Sequence, residues 1–415
     1  MNKNLMIAGL DIGNGYVKGL TQTGSAQPEG IDFPSGIVRM ATSHDIKTSG
    51  AAVNEVVEDI FNEMDATFDS PLVESAARTL FGQRALRSGI TVVEFDVSIT
   101  SAKATDSLSP TLVLGCLAGR ALQDYWRAHH ELPTDMLDVT AKLALALPIS
   151  EYKRYRTPYA EGYKTGTHLV CIHNFEQPVR VRLTIEDVYV LAEGASAQYA
   201  ITEKGLPLMN AMLADVRELG EPLDGITAED VLAAKNTMGI DIGEGTVNFP
   251  VYQGGRFNPD SSMTFTKGYG HVLNRAMDAL REAQYPFNSR KALADFLQEG
   301  PTGIKRARYA RVREFVDAEI SNFCDEVNQA FSQLMARVGS YIDVIYVYGG
   351  GASDMKAWLH PKLIETVKKL GGADVEVPIL YLDSRYSRKL NREGLFLVVK
   401  QLAEQEAAVE SGENA

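Results

Sequence analysis

The sequence predicts an α/β protein built from two domains of like topology, and three observations carry that reading. Apolar, β-branched segments alternate with helical patterns through most of the 415 residues, the arrangement expected of an α/β architecture. The heptapeptide Asp11-Ile12-Gly13-Asn14-Gly15-Tyr16-Val17 recurs as Asp241-Ile242-Gly243-Glu244-Gly245-Thr246-Val247, identical at five of seven positions and each time behind a short apolar run. Two copies of one strand–turn–strand element imply a duplicated domain, and at about 150 residues per domain the length suggests two or three. Finally, Ile342 to Tyr348 reads as a buried strand running into Gly349-Gly350-Gly351.

The elements follow in order. Leu5–Leu10 and Tyr16–Leu20 flank turn residues and predict a β-hairpin. Asp45 to Thr67 alternates acidic and apolar residues and reads as a peripheral excursion. Ser109 as cap and Pro110 in the first turn predict a helix over Thr111–His130. Val139–Leu147 is a strand stopped by Pro148, and Glu193 opens a small-residue stretch, Gly194-Ala195-Ser196-Ala197, that predicts a helix packed closely on neighbouring backbone. Apolar residues from Val312 to Val338 recur at three- and four-residue steps, which marks a long amphipathic helix. After Lys400, Glu404, Glu406, Glu410 and Glu413 have no nearby basic partner, so a frayed, solvated tail is expected.

Composition narrows the function. With 41 basic and 54 acidic residues the net charge is −13, which disfavours a direct grip on nucleic acid. Cys116, Cys171 and Cys324 lie far apart, with neither metal-ligand nor disulfide spacing, and predict a reducing, cytoplasmic setting. The run before Asp11 is too short for an export signal, and no stretch reaches the roughly 18 apolar residues of a membrane span. P-loop, Rossmann and H-E-x-x-H motifs are missing. His129-His130 reads as a solvated helix end, because ligands on one helix face stand three or four residues apart.

The glycines point to phosphate. Without a Cβ, backbone N–H groups approach a polyphosphate closely, so the loops Gly13-Asn14-Gly15 and Gly243-Glu244-Gly245-Thr246 suit a phosphate chain. An Asp at the head of each loop, Asp11 and Asp241, suits the water shell of a Mg²⁺ ion. Lys18, on the returning strand, places an ammonium for a β- or γ-phosphate. Gly349, Gly350 and Gly351 let a flat base and ribose lie against backbone. Singly, each motif is also an ordinary turn; together and in this order they are not.

In that order the motifs resemble the phosphate-1, phosphate-2 and adenosine motifs of the actin, heat-shock chaperone and sugar-kinase ATPase superfamily, from about Leu5 to Lys400. Phe33-Pro34-Ser35, Leu147-Pro148-Ile149-Ser150-Glu151-Tyr152 and Val188-Tyr189-Val190-Leu191-Ala192-Glu193 are similar to stretches of the bacterial ParM-type actin-like proteins that segregate plasmids. The resemblance implies an actin-like ATPase fold: two duplicated domains with ribonuclease-H-like cores around a nucleotide cleft. Domain I would be 1–192 plus 385–415, and domain II 193–384. It further implies ATP as the nucleotide, with GTP left open, Mg²⁺ held by Asp11 and Asp241, Glu193 polarising the attacking water beside Asp241, and Lys305 beside the base. The expected product is a homopolymeric filament that hydrolysis destabilises and a ParR-type DNA-binding adaptor joins to DNA. Glu244 departs from the small residue usual in ParM-type loops. A metabolic kinase, a nucleotide switch or a phage or chromosomal positioning filament of the same superfamily are the alternatives.

Overall fold

The hairpin expected at the N-terminus forms and takes interior positions in a sheet. A computed structural model describes residues 5–41, 52–73, 77–95, 102–218, 223, 225–371, 377–382 and 384–411. They fall into two compact units, 1–200 with 389–415, and 201–388. In the first unit β1 (Leu5–Ile12) pairs antiparallel with β2 (Tyr16–Thr23), which pairs with β3 (Glu29–Pro34). β4 (Ile37–Met40), β5 (Asp65–Asp69), β6 (Arg78–Phe81), β7 (Leu137–Leu147), β8 (His168–Ile172) and β9 (Val179–Ala192) complete a nine-stranded sheet ordered β3-β2-β1-β7-β9-β8-β5-β6-β4. β1 is parallel to β7, and β7 to β9.

β1 reads as an almost unbroken apolar run because both of its faces are covered. Alternate side chains leave on opposite faces: Met6, Ala8 and Leu10 join the large core with Leu112, Leu117 and Phe33, whereas Ile7 packs with Leu395, Phe396 and Val399 of the C-terminal helix, Leu390–Ser411. That helix lies on the strand itself, since a Cβ on Gly9 would stand 2.3 Å from the Phe396 nitrogen.

The second unit repeats the plan. β10 (Thr237–Ile242) pairs antiparallel with β11 (Val247–Phe249) and β12 (Val251–Gln253), one edge interrupted at Pro250, which has no N–H for the ladder. Beyond them lie β13 (Arg256–Phe257) and β14 (Met263–Phe265), and on the other side β15 (Val344–Tyr348) and β16 (Ile379–Tyr381) run parallel. β10 thus has the neighbours of β1 in the same senses: an antiparallel hairpin on one side and two successive parallel strands on the other. The duplication read from two heptapeptides is a duplication of five strand positions. The helix Arg306–Val338 buries Val312, Val316, Ile320, Phe323, Val327, Phe331, Leu334 and Val338 against this unit's core, at the expected steps. Among the described residues no helix is long and apolar enough to cross a membrane.

Three expectations need correction. The helix after Thr105 spans Leu108–His129 with Ser107 as its N-cap, so Ser109 and Pro110 lie inside the first turn. The Ser109 hydroxyl is instead within 2.6 Å of the buried Tyr159 hydroxyl. The stretch read as peripheral contributes to the core where it is described, residues 42–51 lying outside the described ones. Val53–Glu58 and Ile60–Glu63 bury Val56, Val57, Ile60 and Phe61, and β5 sits between β8 and β6. The acidic alternation there is the solvent face of an amphipathic segment, save for Asp65, fully buried and gripped by Arg78 at 2.6 Å and Arg84 at 3.4 Å. Third, the C-terminal helix continues to Ser411, and Glu406 has a basic partner, Lys142 of β7, and also accepts from the Tyr189 hydroxyl at 2.7 Å. Glu413 lies outside the described residues.

Two stability predictions follow from these contacts. A Cβ on Gly394 would stand 1.8 Å from the Ser196 carbonyl oxygen. Gly394→Ala is therefore expected to cost about 3 kcal/mol or more, at the upper end of overpacking, read from the urea midpoint. The bonds from Lys142 and Tyr189 hold the Glu406 carboxyl below its ordinary value of 4.5. A depressed carboxylate contributes stability above that value, and the contribution disappears as pH falls through the folded pKa. Glu406→Gln should melt below the wild type at pH 7, and the two melting curves should converge below pH 4.5.

Candidate functional site

In the first unit the turn 13–15 between β1 and β2 is closed by the Gly13 N–H donating to the Tyr16 carbonyl at 3.0 Å, and a Cβ on Gly13 would come within 2.7 Å of that oxygen. Ser35 braces it from behind. This buried residue donates its hydroxyl to the Gly13 carbonyl at 2.6 Å and its N–H to the Gly15 carbonyl at 3.0 Å, which gives the Phe33-Pro34-Ser35 motif a physical task. Asn14 and Gly15 stay half-buried at the tip. Asp11 and Lys18 are directly opposed across the ladder, so their side chains share one face.

Around Asp11 the charges are dense. Burial pushes its carboxyl above the usual range, Lys103 and Lys18 pull against that, and Glu193 adds to it. Glu193 sits where β9 ends, its N–H bonded to the Leu147 carbonyl at 2.7 Å, and Gly194 turns the chain at φ +78° into the helix Ala195–Glu218. The Lys103 ammonium donates to Glu193 Oε1 at 2.6 Å. Glu151, of the Leu147–Tyr152 motif, accepts the backbone N–H of Lys103 at 3.1 Å and of Ala104 at 3.0 Å. Lys103 and Glu151 were not among the residues expected at the site. Ser101-Ala102-Lys103-Ala104-Thr105 has no motif to flag it; the glutamate of the Leu147–Tyr152 motif was the available signal.

The second loop is the first repeated. The Gly243 N–H donates to the Thr246 carbonyl at 2.9 Å, at the end of β10, where Asp241 is only 5% exposed. Its brace is backbone: Tyr269 and Gly270, opening the helix Tyr269–Glu282, donate to the Gly243 and Glu244 carbonyls at 2.9 and 2.8 Å. A Cβ on Gly268 would lie 2.5 Å from the Glu244 oxygen. The Glu244 carboxylate pairs with Arg290 at 3.2 Å, and Thr246 Oγ1 accepts from Asn248 at 3.1 Å.

The three glycines after β15 divide. Gly349, at φ +98°, has room for no Cβ: one would meet the Ile242 carbonyl at 2.5 Å and Asp241 Oδ1 at 2.6 Å. Gly351 donates its N–H to the Ile242 carbonyl at 3.0 Å, and a Cβ there would press on the Ile242 side chain at 2.8 Å. A Cβ on Gly350 would meet nothing within 4 Å. The outer two glycines seat the strand that carries Asp241, and the middle one presents bare backbone. Lys305 is exposed and pairs with Glu299 at 2.7 Å. Asp11, Lys18 and Glu193 are thus collected in the first unit, and Asp241, the second loop and the glycine turn in the second.

Residues 9–195 match the family model described as actin like proteins N terminal domain. No curated protein matches the chain. Among solved structures it is similar to the actin-like protein Alp7A, at 16% identity over 99% of this chain and 100% of that one, with a TM-score of 0.67. It is similar to an archaeal actin homolog, Ta0583, at 11% identity over 95% and 99% of the two chains with a TM-score of 0.60. Bacillus thuringiensis ParM with ATP aligns at 13% identity over 97% and 100%, with a TM-score of 0.56. The chain has the actin-like fold throughout its length, and the resemblance to ParM-type proteins read from its motifs stands.

The division among the glycines is directly testable. Gly349→Ala should cost at least about 2 kcal/mol, because it combines a left-handed backbone with overlap on β10. Gly350→Ala should change stability by less than about 0.5 kcal/mol, as surface changes do. Paired urea titrations of the two variants check this.

Proposed function

We propose that the chain is an actin-like nucleoside triphosphatase that assembles into a filament with ATP and Mg²⁺ and hydrolyses ATP to destabilise it. One observation carries this reading: two loops with an Asp at the head and the same internal hydrogen bond, 3.0 Å in one and 2.9 Å in the other, stand at the ends of equivalent central strands. Glycine-containing turns of this kind let backbone N–H groups approach an anion.

In this reading Gly13-Asn14-Gly15 and Gly243-Glu244-Gly245-Thr246 hold the phosphates, Lys18 neutralises them, and the bare backbone at Gly350 receives the nucleoside. Among the described residues no three carboxylate, imidazole or thiol groups cluster as a metal cage. Mg²⁺ keeps several waters and takes phosphate oxygens; Asp11 and Asp241 are the residues that would serve its water shell. Glu193 orients water for in-line attack and the loop backbone stabilises the shifting charge, to which a bound Mg²⁺ would add its own charge. The net charge of −13 suits a filament that reaches DNA through a basic adaptor of the ParR type and not by its own surface. The structure solved with ATP belongs to a ParM aligned over 97% of this chain, which favours ATP as the first nucleotide to test.

Right-angle light scattering with phosphate release followed in parallel, after ATP and Mg²⁺ are added to purified protein, tests the reading. Scattering is expected to rise before phosphate appears. Glu193→Ala should keep the rise and lose phosphate release by about 10²-fold or more. A flat trace across a wide protein concentration range would overturn the filament and direct attention to a kinase.

A further inference from the structure

Lys103 and Glu151 have no part in the function as described so far. The Lys103 side chain is 6% exposed, and a lysine buried that far keeps its charge only with partners. Burial works against the ammonium, but Glu193 and Asp11 outweigh it and hold its pKa above the ordinary value. Its position is set at both ends. At the backbone, the two Glu151 oxygens take one N–H each from Lys103 and Ala104; at the tip, Nζ meets Glu193 Oε1 at 2.6 Å. Stability is a poor explanation for this arrangement, because an apolar replacement of a buried ion pair is commonly neutral or stabilising. Glu193 also needs the help. It is the last residue before the Gly194 turn, and its side chain has three rotatable bonds, so the backbone by itself does not set where the carboxylate lies. A group that orients a water has to be held within about half an ångström.

We propose that Lys103, seated by Glu151, is the positioning residue for Glu193, holding its carboxylate in place for the water that attacks the terminal phosphate of a bound nucleoside triphosphate. The proposal rests on the ATPase reading and deepens it. It also gives the glutamate of the Leu147–Tyr152 motif a task away from the chemistry: it fixes the loop that fixes the carboxylate.

Steady-state kinetics of Lys103→Met, Glu193→Gln and the double variant test it. Lys103→Met should lower kcat by about 10- to 100-fold and leave KM for ATP within about threefold, the split expected when a transition-state contact is lost and ground-state binding is kept. The double variant should be no slower than Glu193→Gln alone, since the lysine acts only through the glutamate. Glu151→Gln should fall between wild type and Lys103→Met, again in kcat. Thermal melting without nucleotide reports whether each variant folds; if Lys103→Met does not, Glu151→Gln carries the test with the same split. Wild-type kcat in Lys103→Met, or a double variant slowed by the product of the single effects, would overturn the positioning role alone. A wild type that is neither stabilised by ATP nor able to hydrolyse it would overturn the ATPase reading and this role with it.

Discussion

The structure depends on backbone meeting backbone at a few glycines. Gly9 lets the C-terminal helix rest on β1, Gly394 lets the same helix cross the start of Ala195–Glu218 against the Ser196 carbonyl, and Gly349 lets the turn after β15 rest on the residues that follow Asp241. Each contact is one where a Cβ would overlap main-chain atoms that have no room to retreat. The consequence is positional. Asp11 and Asp241 stand at the ends of strands clamped from outside, so packing of backbone on backbone fixes the main chain from which each carboxylate projects.

Around those strands the units solve one problem twice with different means. The first loop is held by a side chain, Ser35, and the second by the opening backbone of a helix at Tyr269 and Gly270. Substituting Ser35 removes the hydroxyl half of the first brace and leaves its N–H on the Gly15 carbonyl, whereas the second brace is backbone alone and is disturbed by crowding Gly268 or Gly270. The unequal braces go with unequal chemistry. The first unit collects Lys18, Lys103 and Glu193 about Asp11, whereas the second places Asp241 among apolar strands, with Glu244 drawn to Arg290.

How much of this was legible follows from the range of each interaction. The hairpins, the glycine turn and the long helix are determined within a few residues of themselves, and they appear where periodicity and turn residues put them. Glycine's meaning was only half legible. The sequence marks Gly349-Gly350-Gly351 as a unit, but which of them serve packing depends on Ile242, more than a hundred residues earlier. The misplaced helix start has the same origin: Ser109 looks like a cap locally, and its hydroxyl is engaged with Tyr159. Lys142 is the partner of Glu406 across 264 positions, and no local scan for charges finds it. Asp65 looked like solvent-facing charge until Arg78 and Arg84 enclosed it.

Most of the residues that escaped are charged groups whose partners are remote in sequence, and that has a physical reason. Apolar burial is non-directional and leaves a periodic trace along the chain. A buried charge is stabilised by one or two specific atoms, and nothing requires those atoms to be near in sequence. Lys103 is the sharpest case: an unremarked lysine between two alanines, whose meaning comes from Glu193, 90 positions on, and Glu151, 48 positions on. Periodicity therefore locates strands and helices, glycine spacing locates loops, and the charged groups around the reacting atoms become assignable only once the fold has brought them together.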